Sequence, residues 1–167
     1  MSQLPAHQLT MTVLMTPDMA NFAGDVHGGT ILKLLDQVAY ACASRYAARC
    51  VVTLSVDQVT FRQPIHVGEL VTFLASVNYT GRTSIEVGIK VLAEHIQTQS
   101  ERHANSCFFT VVAVDENGKA VPVVVLEPTT PDEMRRHRAA IERKELRRQL
   151  VERTDAFRKH EVGAPPG

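Results

Sequence analysis

Met11, Val13 and Met15 alternate with smaller or polar neighbours, which predicts a first strand ending at Thr16-Pro17-Asp18. From about Gly28 to Ala48 the apolar period changes. Ile31, Leu34, Leu35, Val38, Cys42 and Tyr46 project as one stripe, so this stretch is expected to be an amphipathic helix. Val52, Leu54 and Val56 share one parity, whereas Val59 and Phe61 have the other. The chain is therefore expected to slip through a β-bulge at Asp57-Gln58. Gln63-Pro64 and His66-Val67-Gly68-Glu69 predict a turn, Leu70 to Tyr79 a strand, and Thr80-Gly81 a reversal. Ile85, Val87, Ile89 and Val91 then alternate with Ser84, Glu86, Gly88 and Lys90, the pattern of a half-buried strand. Ala104 to Val114 reads as a last long strand ended by Asp115-Glu116-Asn117-Gly118, with a short strand from Val121 to Val125 beyond it.

One long helix among antiparallel strands is an α+β arrangement in which a curved sheet wraps the helix. A second helix is signalled at Thr130-Pro131-Asp132-Glu133: Thr130 as cap, Pro131 at the first helical position, Glu133 three residues after the cap. It is expected to run to about Lys159. Between Pro131 and His160 there are ten Lys or Arg against six Asp or Glu, so this is read as a solvated helix rather than part of a core. The chain is thus divided into a folded domain, 1–128, and a charged helix with a tail, 129–167. Ala164-Pro165-Pro166-Gly167 is expected to be disordered.

Composition narrows the classes. At 167 residues and 44% apolar content the chain can bury one sizeable core. Lys plus Arg equals Asp plus Glu at 18 each, so bulk charge points to no nucleic-acid partner. Cys42, Cys50 and Cys107 lack any C-x-x-C spacing and fit reduced, mostly buried thiols. The opening residues show no secretory pattern and no later segment is apolar enough to span a membrane, so a cytoplasmic protein without membrane attachment is expected.

The chemistry concentrates between Asn21 and Asp36, N-F-A-G-D-V-H-G-G-T-I-L-K-L-L-D. Gly28 and Gly29 open the helix, where first-turn N–H groups lack intrahelical partners and favour an anion or a developing oxyanion. Asp36 falls at the margin of the apolar stripe beside Gly29, Leu32 and Ala43, partly desolvated, a setting suited to a general base. His27 is read first as a residue that shapes the loop. Arg82-Thr83-Ser84, after the Thr80-Gly81 reversal, either completes a hairpin or presents a guanidinium and two hydroxyls to phosphate oxygens. None of the seven histidines has ligand spacing with a carboxylate or cysteine, so no metal is expected, nor any cofactor. The absence of G-x-S-x-G argues against a serine hydrolase.

These residues resemble the hotdog-fold acyl-CoA thioesterases, on the branch of the bacterial broad-range acyl-CoA hydrolases and the brain-type cytosolic acyl-CoA hydrolase. The likeness covers roughly Leu9 to Pro122. It rests on N-F-A-G-D-V-H-G-G, K-L-L-D, V-V-T-L-S-V-D-Q-V-T-F, P-I-H-V-G-E and T-G-R-T-S-I. The resemblance implies that Asp36 is base or nucleophile, that Asp25 helps bind the attacking water or the thioester, and that Gly28 and Gly29 polarise its carbonyl. It further implies that Asn21 and His27 border the substrate and that Arg82, Thr83 and Ser84 contact the phosphates or adenosine end of coenzyme A. Each site would combine the loop of one subunit with the helix of another, in a homohexamer built as a trimer of hotdog dimers. Two other readings stand beside hydrolysis: a non-catalytic acyl-CoA or nucleotide-binding oligomer, and a hotdog dehydratase of hydroxyacyl thioesters that would use His27.

Overall fold

The computed structural model describes residues 5–57 and 59–161, with side chains described as far as Ala156. In chain order it contains β1 (Gln8–Leu14), α1 (Gly28–Ala47), β2 (Val51–Asp57), β3 (Leu70–Thr80), β4 (Ser84–His95), β5 (Ser100–Ala113) and α2 (Pro131–Glu161). The chain divides into two compact units between Leu126 and Glu127. In the first, the strands form one antiparallel sheet in the order β1-β3-β4-β5-β2, and α1 packs against every strand of it. This is the sheet-around-helix arrangement expected from the pattern.

α1 buries Ile31, Leu35, Val38, Ala39, Cys42 and Ala43, while Leu34 and Tyr46 are half-buried. The small Ala39 and Ala43 extend the buried face. Leu32, Asp36 and Tyr40, spaced by four, form an outward row in which Leu32 is 40% and Tyr40 46% exposed. The helix stops at Ala48, which takes a left-handed conformation (φ 49°, ψ 36°).

Three strand expectations change. β4 is the middle strand and is buried on both faces: Glu86 and Gly88 are buried along with Ile85, Val87 and Ile89. A bulge at Asn78 in β3 lays its side chain over Gly88, with Nδ2 occupying the room a Cβ would need, and Phe108 covers the same spot. The bulge in β2 lies at Leu54, between Thr53 and Ser55, and not at Asp57-Gln58; Gln58 itself lies outside the described residues. Thr53 and Val56 consequently pair with Val111 and Phe109, which belong to the core beneath α1. The expected strand Val121 to Val125 is extended chain without strand pairing. It is tied down by Val121 N–H to Ala113 O and Val123 N–H to Arg82 O, at 2.9 and 3.0 Å.

α2 begins as the capping box predicts. The Glu133 N–H donates to Thr130 Oγ1 (3.2 Å), and Glu133 Oε2 accepts from the N–H groups of Thr129 and Thr130. It runs two residues past Lys159. The Ala164 to Gly167 tail lies outside the described residues.

Cys42 and Cys107 are buried and Cys50 is exposed; all three are free thiols. Burial pushes the Cys42 and Cys107 thiols up to about 12, so both stay protonated and unreactive at neutral pH. An alkylating reagent is therefore expected to modify Cys50 in the native protein and to reach the other two only after unfolding. Peptide mass spectrometry reads this directly, and labelling of Cys42 as fast as Cys50 would contradict the packing described.

Candidate active site

The loop before α1 is folded by Asn21. Its Oδ1 accepts from the N–H of Ala23 (2.8 Å) and of Asp25 (3.2 Å), and its own N–H donates to Asp25 O (2.7 Å). Gly24 sits inside this turn at φ +87°. With Oδ1 committed to the loop, what Asn21 can offer a ligand is its pair of Nδ2 donors.

His27 caps α1: its Nδ1 accepts from the Gly29 N–H at 2.9 Å. A neutral imidazole that accepts through Nδ1 carries its proton on Nε2. His27 therefore has no lone pair left for the general-base role that a dehydratase would need. The Gly29 amide is also spent. The Gly28 amide has no hydrogen-bond partner among the described residues, so of the two glycines it is Gly28 that keeps an N–H for an oxyanion. A cavity of about 260 Å³ opens beside it, bordered by Asn21, Asp25 and Gly28 on one side and by Phe61, Arg62 and Ile65 on another. Its floor is apolar through Val26 and Ile31, which a thioester's acyl side tolerates, while its rim is polar.

Asp36 is not in this cavity. Its carboxylate is exposed in the protomer and accepts from Thr53 Oγ1 at 2.7 Å. The bulge at Leu54 sets the strand parity that aims Thr53 at the helix. Eight residues of α1 separate Asp36 from Gly28, about 12 Å along the axis. One thioester carbonyl cannot touch both groups of a single protomer.

Arg82, Thr83 and Ser84 form the β3–β4 turn, closed by Gly81 N–H to Ser84 O at 2.8 Å; Arg82 is exposed. The length of β3, roughly 30 Å, separates them from the cavity, which lies beyond the Leu70 end. Thr53 is closer: it pairs with Val111, which pairs with Ile85, so it lies two strands across, on the order of 10 Å.

The turn that faces the loop is held by a buried ion pair. Arg102 donates to Glu69 through both nitrogens (2.6 and 2.7 Å) and to Pro64 O (2.6 Å), and Glu69 Oε2 also accepts from the His66 N–H (2.9 Å). Burial pushes the Glu69 carboxyl up. Hydrogen bonds from Arg102 and from the His66 main chain, with the Arg102 charge, outweigh that and hold it below its ordinary value. On this braced turn the His66 ring meets Asp25, Nδ1 to Oδ1, at 2.7 Å. Sequence reasoning missed Thr53 and His66 as partners. The signal for Thr53 was the β2 bulge, placed three to four residues too late; His66 sits inside P-I-H-V-G-E, but nothing local ties it to Asp25. Among the described residues no three His, Cys, Asp or Glu side chains gather as metal ligands, and no helix is long and apolar enough to cross a membrane.

A five-stranded antiparallel sheet around one helix, with an unspent amide at the helix start and a carboxylate two turns along it, defines a hotdog domain. The thioesterase superfamily profile matches residues 23–99. Protein VdlD of Helicobacter pylori is 57% identical over 140 residues, covering 84% of this chain and 80% of that one. A hexameric acyl-CoA thioesterase of known structure superposes with a TM-score of 0.85 at 36% identity, covering 87% of this chain and 94% of that one. An acyl-CoA hydrolase from Staphylococcus aureus, solved with butyryl coenzyme A and coenzyme A, gives 0.81 at 27% identity over 91% and 94%. That protein has also been solved with alanine replacing an asparagine, an aspartate and a threonine, spaced 15 and 17 residues apart. This chain belongs to the thioesterase superfamily, on its acyl-CoA hydrolase branch. It is a thioester hydrolase.

Proposed function

We propose that the protein hydrolyses acyl-CoA to a free fatty acid and coenzyme A at a site shared by two protomers. Asp36 is the general base: Thr53 holds one carboxylate oxygen and leaves the other to take a proton from water. The attacked carbonyl lies against the partner's Gly28 N–H, which stabilises the oxyanion as it forms, with Asn21 Nδ2 as a second donor. Asp25, on the wall of the same cavity, accepts from the water and orients it. Arg82, Thr83 and Ser84 of a neighbouring copy meet the phosphates of coenzyme A. No cofactor takes part.

The observation that carries this reading is the 2.7 Å bond from Thr53 to Asp36. Asn21, Asp36 and Thr53 reproduce the 15- and 17-residue spacing of the substituted trio in the Staphylococcus aureus hydrolase. That spacing favours Asn21 over Asp25 as the partner of Asp36 across the site. The separation of Asp36 from Gly28 along one helix supports the composite arrangement. A hexameric relative supports a homohexamer built from hotdog dimers. Three free thiols fit a reducing cytoplasm. The test is thiol release, followed with a chromogenic reagent across acyl-CoA esters from acetyl to palmitoyl, together with the mass in solution. Release of coenzyme A by an oligomer is expected; an oligomer that binds the esters without releasing thiol would overturn the proposal in favour of a binding module.

A further inference from the structure

We infer that His66 is a positioning residue for this reaction, acting through Asp25; the inference rests on the thioesterase reading for its kinetic consequence but not for its geometry. A carboxylate at neutral pH only accepts hydrogen bonds, so the 2.7 Å contact requires His66 to carry a proton on Nδ1 and donate it to Asp25 Oδ1. That oxygen is thereby engaged, which leaves the second as the freer acceptor for the attacking water.

An exposed side-chain bond alone would hold little, because His66 is 54% and Asp25 35% exposed. Here the two main chains are also joined. Asp25 and His66 form an antiparallel bridge, and the Val26 N–H donates to Ile65 O at 2.8 Å. Behind the imidazole, the His66 N–H is anchored on Glu69, which Arg102 grips with both nitrogens. The imidazole is therefore the last link of a braced chain, Arg102 to Glu69 to His66, that holds Asp25 on the cavity wall beside Gly28. Its function is to fix one rotamer of Asp25, so that the free oxygen is oriented before substrate arrives.

The experiment uses the full-length assembled enzyme and the acyl-CoA ester it turns over fastest. His66→Ala is expected to lower kcat about tenfold with KM nearly unchanged, as for a group misplaced rather than lost. His66→Asn, whose Nδ2 stands close to where Nδ1 stood, should recover most of that loss. In an Asp25→Ala background, His66→Ala should cost nothing further. Wild-type kcat in His66→Ala, no rescue by Asn, or losses that multiply in the double variant would overturn the inference. Nitrogen NMR of the imidazole at mildly alkaline pH tests the clasp without any reaction. The proton should sit on Nδ1 in the wild type and leave it in Asp25→Ala; an imidazole indifferent to Asp25 overturns the inference even if thiol release is normal. A wild type that releases no thiol but shows the Nδ1 proton sinks the thioesterase reading and leaves the clasp standing.

Discussion

Asp36→Ala is expected to reduce kcat for acyl-CoA hydrolysis by on the order of a hundredfold or more, with KM changed little. The side chain is exposed and, among the described residues, its only hydrogen-bond partner is Thr53, so its removal opens no cavity in the core and strips no buried group of a partner. Alanine also favours a helix interior. Melting temperature and helix content should therefore stay near wild type, which separates lost chemistry from lost fold. Asp36→Asn keeps the bond to Thr53 but cannot take a proton, and should be as inactive as alanine. Thr53→Val removes one hydrogen bond that orients the base and should give a milder loss, about tenfold. Full activity in Asp36→Ala, in a protein that still melts at the wild-type temperature, would remove Asp36 from the reaction.

The parts of this fold legible in the sequence are those whose cause is local. α1, the Gly81–Ser84 reversal and the Thr130 capping box each depend on residues within four positions, and each stands where the pattern placed it. The turn joining β4 to β5 was invisible for the opposite reason. It is Ile96-Gln97-Thr98-Gln99, with no glycine, proline or asparagine, and Gln99 itself supplies the left-handed residue at φ 54°. Burial of Gly88 beneath Asn78 depends on a bulge in the neighbouring strand, which alternation along β4 does not reveal. The site follows the same division. The helix start and Asp36 could be named from one segment. The partners that orient them come from 17, 41 and 33 residues away: Thr53 to Asp36, His66 to Asp25, Arg102 to Glu69. Register and turn position decide those contacts, and a move of the β2 bulge by one residue toward Val52 would turn Thr53 away from the helix.

Arg102→Ala should be the most destabilising of the substitutions considered, by about 3 kcal/mol, because it leaves the Glu69 carboxylate buried without its cation. Arg102 is 27% exposed at its side chain and Glu69 4%, so the burden falls on Glu69. The pair also braces Pro64 and His66, so activity should fall with stability as the cavity wall loosens. pH gives the diagnostic. In the wild type Glu69 is held below its ordinary value of 4.5. Its contribution to stability is therefore complete above that value and is lost as pH falls through the lowered one. Without Arg102, burial dominates and pushes the carboxyl up, so the variant is penalised near neutrality and relieved as acid protonates Glu69. The stability gap between the two proteins should therefore be widest near pH 7 and narrow on acidification, measured by denaturant unfolding along a pH series. Replacing both partners, as Glu69→Gln with Arg102→Met, should recover part of the stability lost in Arg102→Ala, since no uncompensated charge remains. A gap that stayed constant down to pH 4 would mean that Glu69 is not the group Arg102 neutralises.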